Sequence, residues 1–196
     1  MILQIALGTG MFGFSCILVV ILLVVLAFAV YYYNRIVVLS NQVDNAWSQI
    51  DVQLKKRTDL VPNLVETVKG YMKHEKGAIK MVTDARAKMM GAGTVDEKMK
   101  AHGELTKALK TILALAENYP QLRASENFKL LQEQLDGIES KIAYARQFYN
   151  DSVLRYNNIT STIPGVWFAG FMGKAHKPYF EIEEAERAPV KVKFDE

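Results

Sequence analysis

The chain has one cysteine in 196 residues, Cys16, which excludes an intrachain disulfide and any multi-cysteine metal site. Only three histidines occur, His74, His102 and His176, and no local spacing joins two of them with a carboxylate as a metal set. An excess of one charge is also missing. The 24 basic and 21 acidic side chains are interspersed and leave a net charge of +3, without the basic face or segment that nucleic acid requires. No nucleic-acid partner and no cofactor are expected. Charge is absent altogether from Ile2 to Asn34, and every charged side chain lies at or after Arg35. The length leaves room for one soluble domain after this apolar stretch.

From Phe12 to Tyr33 the sequence FGFSCILVVILLVVLAFAVYYY makes a helix of about 33 Å, enough for a hydrocarbon core of roughly 30 Å. Tyr31, Tyr32 and Tyr33 stand at its end, where amphipathic rings favour the headgroup level, and Arg35 follows. A cleaved signal peptide would need a basic start and a shorter apolar run, although Ala27-Phe28-Ala29 has the small-x-small form. Residues 1–34 are therefore expected to be a single-pass membrane anchor. With Arg35 on one flank and no basic residue on the other, the positive-inside tendency puts the soluble part in the cytoplasm. Gly8-Thr9-Gly10-Met11-Phe12-Gly13 fits a dinucleotide-binding pattern, but no strand precedes it and no acidic residue follows at the required distance.

Beyond the anchor the spacing is helical. Val43, Trp47, Ile50, Leu54, Arg57, Val61, Leu64, Val68 and Tyr71 recur every three or four residues, the 3.5-residue period of bundle and coiled-coil packing. No strong breaker separates Tyr33 from Val43, so the membrane helix can continue into this first long helix. Pro62 removes one backbone bond, to the carbonyl of Thr58, and predicts a kink with helix on both sides. A second helix is predicted from about Glu75 to Met90, stopped by Gly91-Ala92-Gly93. Thr94 to Glu97 has the form of a capping box opening a third helix, with Met99, Leu105, Leu109, Ile112 and Ala116 on its apolar face. Tyr119-Pro120 is expected to end it, and Ser125 to cap a fourth. That helix carries Phe128, Leu131, Leu135, Ile138, Ile142, Ala145, Tyr149, Val153, Tyr156 and Ile159 and runs to Pro164-Gly165. The fold class is all-α: an N-terminal transmembrane helix continuing into an up-and-down four-helix bundle with long first and fourth helices. The bundle is assigned to residues 35–164, and an aromatic segment with a charged C-terminal tail to residues 165–196. Trp167, Phe168, Phe171 and Met172, with Val166, would either rest on the bilayer surface or fold back as a cap.

Catalytic patterns are missing. His74-Glu75 begins an H-E-x-x-H zinc helix, but Ala78 stands where the second histidine belongs. There is no phosphate-cradling loop and no nucleophile elbow. Two glycosylation-like triplets, Asn150-Asp151-Ser152 and Asn158-Ile159-Thr160, fall inside a predicted helix. Polar residues beside the seams are more informative: Arg57, Asp59 and Asn63 on the first helix, and Glu139, Arg146, Asn150 and Asn157 on the fourth. Their spacing aligns each set on one face, giving either a polar network between the long helices or a solvated border to the core. A buried network would fix helix register before it would catalyse. Asp51 and Lys55, four apart, are expected to pair on the surface.

These residues carry a family resemblance. The run NQVDNAWSQIDVQLKKRTDLVPNLVETVKGY from Asn41 to Tyr71, His74-Glu75, Ala85-Arg86, YPQL from Tyr119 to Leu122, FKLLQEQLDGIESKI from Phe128 to Ile142, ARQFYNDSVLRYNN from Ala145 to Asn158, Pro164 and Tyr179-Phe180 resemble the LemA family. Ile163 departs from its pattern, which tends to an aromatic before the proline. The resemblance implies one membrane-spanning helix before a four-helix bundle of bacterial type, and no established enzymatic activity. It also implies links with membrane organisation and with membrane zinc metalloproteases. Arg57, Asp59, Pro62, Asn63, Arg146, Tyr149, Asn150, Tyr156 and Asn157 are its motif positions, with no catalytic role attached.

The function expected is a membrane-anchored, non-enzymatic scaffold or adaptor that self-associates and engages another membrane protein. The alternatives are a lipid-organising protein that contacts membrane lipids, and an enzyme subunit with a polar pocket around Arg57, Asp59, Glu139 and Arg146.

Overall fold

A computed structural model describes residues 2–181, with side chains from Cys16 onward. Six helices follow in order: α1 Ile2–Lys69, α2 Lys76–Gly91, α3 Val95–Ala116, α4 Pro120–Ala124, α5 Glu126–Ser161 and α6 Gly165–Phe171. No strand occurs among the described residues, so the class is all-α. The charge-rich stretch from residue 182 to 196 lies outside the described residues.

The described residues divide into two units, residues 2–45 with 151–178 and residues 46–150 with 179–181. In the second unit, contacts between side chains give the helix directions. Trp47 meets Tyr149 at 5.8 Å and Arg57 meets Glu139 at 2.7 Å, so α1 and α5 run in opposite directions. Asp51 pairs with Lys98 at 2.5 Å and Arg57 with Thr106 at 3.0 Å, so α1 and α3 run the same way. Lys88 and Glu104, 2.6 Å apart, close the antiparallel hairpin of α2 and α3. The result is an up-and-down four-helix bundle, whose core joins Val61, Leu64 and Val68 to Val82, Leu105, Leu109, Ile112, Phe128 and Leu135. Burial of that apolar surface, at about 25 cal/mol per Å², is its main driving force.

Local signals behave as their physics requires. Thr94 accepts from the Glu97 N–H at 3.2 Å, while the Glu97 carboxylate accepts from the Thr94 N–H at 3.0 Å, completing the capping box. These backbone donors hold the Glu97 carboxyl below its ordinary pKa.

Four local expectations are corrected. α1 stops at Lys69, where Tyr71 and Met72 N–H groups both turn back to the Val68 carbonyl, so Met72 is buried and Tyr71 is exposed. α3 ends at Ala116, and Pro120 opens the short α4, because its fixed φ and missing N–H suit a first helical position. Asp51 pairs with Lys98 of α3 and not with Lys55, since a partner on a packed neighbour is held in place while an exposed i,i+4 partner is not. Trp47 is only half-buried, its ring turned to Tyr149 and Phe180.

The first unit contains the membrane-length helix. From Ile17 to Leu26 every side chain is half or more exposed, an apolar surface that water would not tolerate over this length. Ile36, Leu39 and Val43 on α1, Val153 and Tyr156 on α5 and Ala169 on α6 are its buried apolar residues among those described. Gly165 opens α6 where a side chain would not fit: a Cβ there would lie 2.0 Å from the Ile159 carbonyl oxygen.

Candidate functional site

α1 and α5 place the sequence-predicted polar residues differently from one another. Arg57 is buried, and its guanidinium donates to Thr106 Oγ1 at 3.0 Å and to His102 Nδ1 at 3.4 Å and pairs with Glu139 at 2.7 Å. Asp59 and Asn63, one helical step away, are exposed and do not enter this cluster. They flank the seam at positions where α1 turns to solvent. Arg146 is half-buried and lies over the Phe180 ring at 5.9 Å.

An arginine can only donate, so His102 Nδ1 must accept, and its proton sits on Nε2. Burial first, then the charges of Arg57 and Arg146, push the His102 pKa down to about 3. A neutral, enclosed imidazole facing arginines is a poor general base and holds the bundle together instead.

Asn150 and Asn157 each clamp a stretch of backbone outside the helices. In the second unit, Asn150 Nδ2 donates to the Phe180 carbonyl at 3.0 Å and the Phe180 N–H donates to Asn150 Oδ1 at 2.8 Å. Phe180 is thereby set against Trp47 at 6.3 Å and His102 at 5.7 Å. In the first unit, Asn157 does the same for Lys177, with both bonds at 3.0 Å. Lys177 Nζ then reaches Asp44 at 2.5 Å, and Tyr156 donates to the Ala175 carbonyl at 3.1 Å. Burial, with Asp44 second, raises the Tyr156 pKa and keeps that donor protonated. The polar stripe of α5 is thus occupied by structural bonds. Among the described residues, no group of three or more His, Cys, Asp or Glu side chains could hold a metal ion.

Open apolar clefts are also present among the described residues. In the second unit a groove of about 810 Å³ is lined by Val52 and Gln53 of α1 and by Gly137, Lys141, Tyr144 and Phe148 of α5. Tyr144 is 78% exposed, and Gln53 Oε1 is shut off from solvent with no hydrogen-bond partner among the described residues. Sequence reasoning missed this groove. Its signal was present as large apolar residues, Val52, Tyr144 and Phe148, standing off the seam. It also missed the Phe180 pocket, because residues 172–181 carry no periodicity to announce what they bind.

In the first unit, Phe168 stacks on Tyr32 at 5.4 Å with nearly parallel planes, and Tyr32 in turn stacks on Phe28 at 6.3 Å. Trp167 is 60% and Phe171 92% exposed, while Phe168 and Met172 are half-buried. An apolar cleft of about 410 Å³ lies among Ala29, Val30, Tyr33, Phe168, Phe171 and Met172.

The model of the LemA family matches residues 46–194. Magnetosome protein MamQ of Magnetospirillum gryphiswaldense is 23% identical over 184 residues, which is 81% of this chain and 68% of the relative. Magnetosome proteins MamQ 1 and MamQ 2 of Paramagnetospirillum magneticum are each 24% identical, with the same shares.

Proposed function

The chain belongs to the LemA family, and from that premise we propose that this membrane-associated protein is a non-enzymatic scaffold that self-associates and engages a second membrane protein. The observation that carries the reading is the exposed groove of Val52, Tyr144 and Phe148. Arg57, Asn150 and Asn157 are engaged in bonds within the chain, yet Val52, Tyr144 and Phe148 stand exposed on one face beside Gln53 Oε1, a buried acceptor with no hydrogen-bond partner among the described residues. A facing helix with an apolar edge and one donor for Gln53 Oε1 fits that chemistry. Anchoring by α1 confines copies to one membrane, so weak lateral contacts are enough for assembly. The family resemblance suggests a membrane zinc metalloprotease as the second partner. Arg35, the first charge after the anchor, supports a cytoplasmic bundle.

The test is to extract full-length protein into lipid particles with its neighbours, measure the mass and identify stoichiometric companions. A discrete assembly is expected, and Tyr144→Ser with Phe148→Ser should reduce it to a monomer without loss of helicity. A wild-type protein that is a lone monomer overturns the reading.

A further inference from the structure

The apolar run of α1 ends at Tyr31, Tyr32 and Tyr33, the residue type that settles at the boundary between hydrocarbon and headgroups. α6 is fixed to that boundary by a direct contact, since the Phe168 ring lies against Tyr32 at 5.4 Å with planes 5° apart. Whatever depth Tyr32 takes, Phe168 shares it. The short helix turns one side inward through Ala169 and Gly165, which are buried, and leaves Trp167 and Phe171 outward. α6 contains no charged residue, and the next ones, Lys174 and Lys177, come after it ends.

The cleft beside it is continuous with the span itself. Ala29, Val30 and Tyr33 belong to the last turns of the apolar run, and Phe168, Phe171 and Met172 form the other wall. Its lining is almost wholly carbon, which suits an acyl chain and offers nothing to a headgroup or a charged peptide. A helix capping a water-soluble bundle would not hold out a phenylalanine that is 92% exposed beside a tryptophan that is 60% exposed.

We propose that α6 is an interfacial helix, inserted beside α1 into the leaflet on the bundle side, with Trp167 and Phe171 among the lipids and phospholipid acyl chains filling the cleft of Ala29, Val30 and Phe171. α1 spans the bilayer, and α6 adds a second, shallow attachment that fixes the rotation of α1 about its axis. This rests on the anchor and not on self-association.

Trp167 is its own probe. Full-length protein is reconstituted into phosphatidylcholine vesicles, with and without lipid brominated near the headgroup end of one acyl chain. The Trp167 emission is taken as the difference between wild type and Trp167→Phe, which leaves Trp47 as the common background. Brominated lipid should quench that emission about twofold or more, while aqueous acrylamide quenches it little. Phe171→Ser should weaken the lipid quenching and leave far-ultraviolet circular dichroism unchanged. Emission quenched by acrylamide and untouched by brominated lipid would put α6 in water and overturn the proposal. Protection from both quenchers would put protein over Trp167 and overturn it equally. Because the readout is the depth of one residue, it is independent of the assembly mass that tests the scaffold.

Discussion

Arg86 Nε donates at 3.2 Å to the carbonyl of Thr58, the one acceptor that Pro62 deprives of its helical donor. A proline inside a helix lacks the N–H that would reach back four residues, and α1 nonetheless continues on both sides of it. The guanidinium from α2 replaces the missing bond and ties the two helices together at that point. Arg86→Leu should therefore destabilise the full-length protein by about 1–2 kcal/mol. In a Pro62→Ala background, where the backbone donor returns, the same change should cost little. A double-mutant cycle on thermal or urea unfolding reads the coupling, and additive effects would refute the substitution of one donor for the other.

Much of the fold was legible because its signals are local. Periodicity marks α1, α2, α3 and α5, and Thr94 with Glu97 marks the start of α3 to the residue. The Thr58 carbonyl could be named as an orphan from Pro62 alone, but not the residue that would satisfy it. The same limit applies to Asn150 and Asn157: the stripe is visible, while its partners are backbone groups in a non-helical segment that no side-chain pattern reveals. Sequence spacing sees one helix at a time and so pairs Asp51 with Lys55, whereas Lys98 comes from another helix. Spacing alone puts Tyr71 in the seam, because the periodicity does not register that α1 stops at Lys69.

His102 makes stability depend on pH. Its ordinary pKa of 6.5 falls to about 3 in the fold, chiefly by burial and then by Arg57 and Arg146. Between those values the unfolded chain binds more protons than the folded one, so this contribution is complete above about pH 6.5 and is lost as the pH falls toward 3. The slope is about 1.4 kcal/mol per pH unit, or roughly 2 kcal/mol lost by pH 5. His102→Gln should flatten the unfolding free energy between pH 7 and pH 5 relative to wild type. An unchanged slope would mean that His102 is not the group responsible.

The carboxamide of Asn150 satisfies both backbone polar groups of Phe180, whose ring is buried against Trp47 and His102. Asn150→Leu should cost about 2 kcal/mol, because the Phe180 N–H and carbonyl lose their partners while the shape is nearly kept. Phe180→Ala should cost about 3 kcal/mol through the lost ring and the cavity. The two effects should not add, since releasing the backbone also unseats the ring. Amide exchange at Phe180 distinguishes the mechanisms: it should accelerate in Asn150→Leu even where unfolding of the bundle is little changed.

Among the described glycines of the first unit, Gly165 alone has no room for a side chain. A Cβ there would stand 2.0 Å from the Ile159 carbonyl oxygen and 3.2 Å from its carbonyl carbon, and both are main-chain atoms that cannot swing aside. Gly165→Ala must therefore move either the end of α5 or the start of α6. α5 is held along its length by Val153, Tyr156 and the Asn157 clamp, whereas α6 has seven residues and only Gly165 and Ala169 buried. The weaker element yields. Amide exchange in Val166 to Met172 should rise about tenfold or more, while the second unit's bundle melts within a degree or two of wild type. In the reconstituted protein, the same variant should also lower the lipid quenching of Trp167, because releasing α6 separates Phe168 from Tyr32. If α6 exchange is unchanged in Gly165→Ala, the close approach to Ile159 does not set the position of this helix.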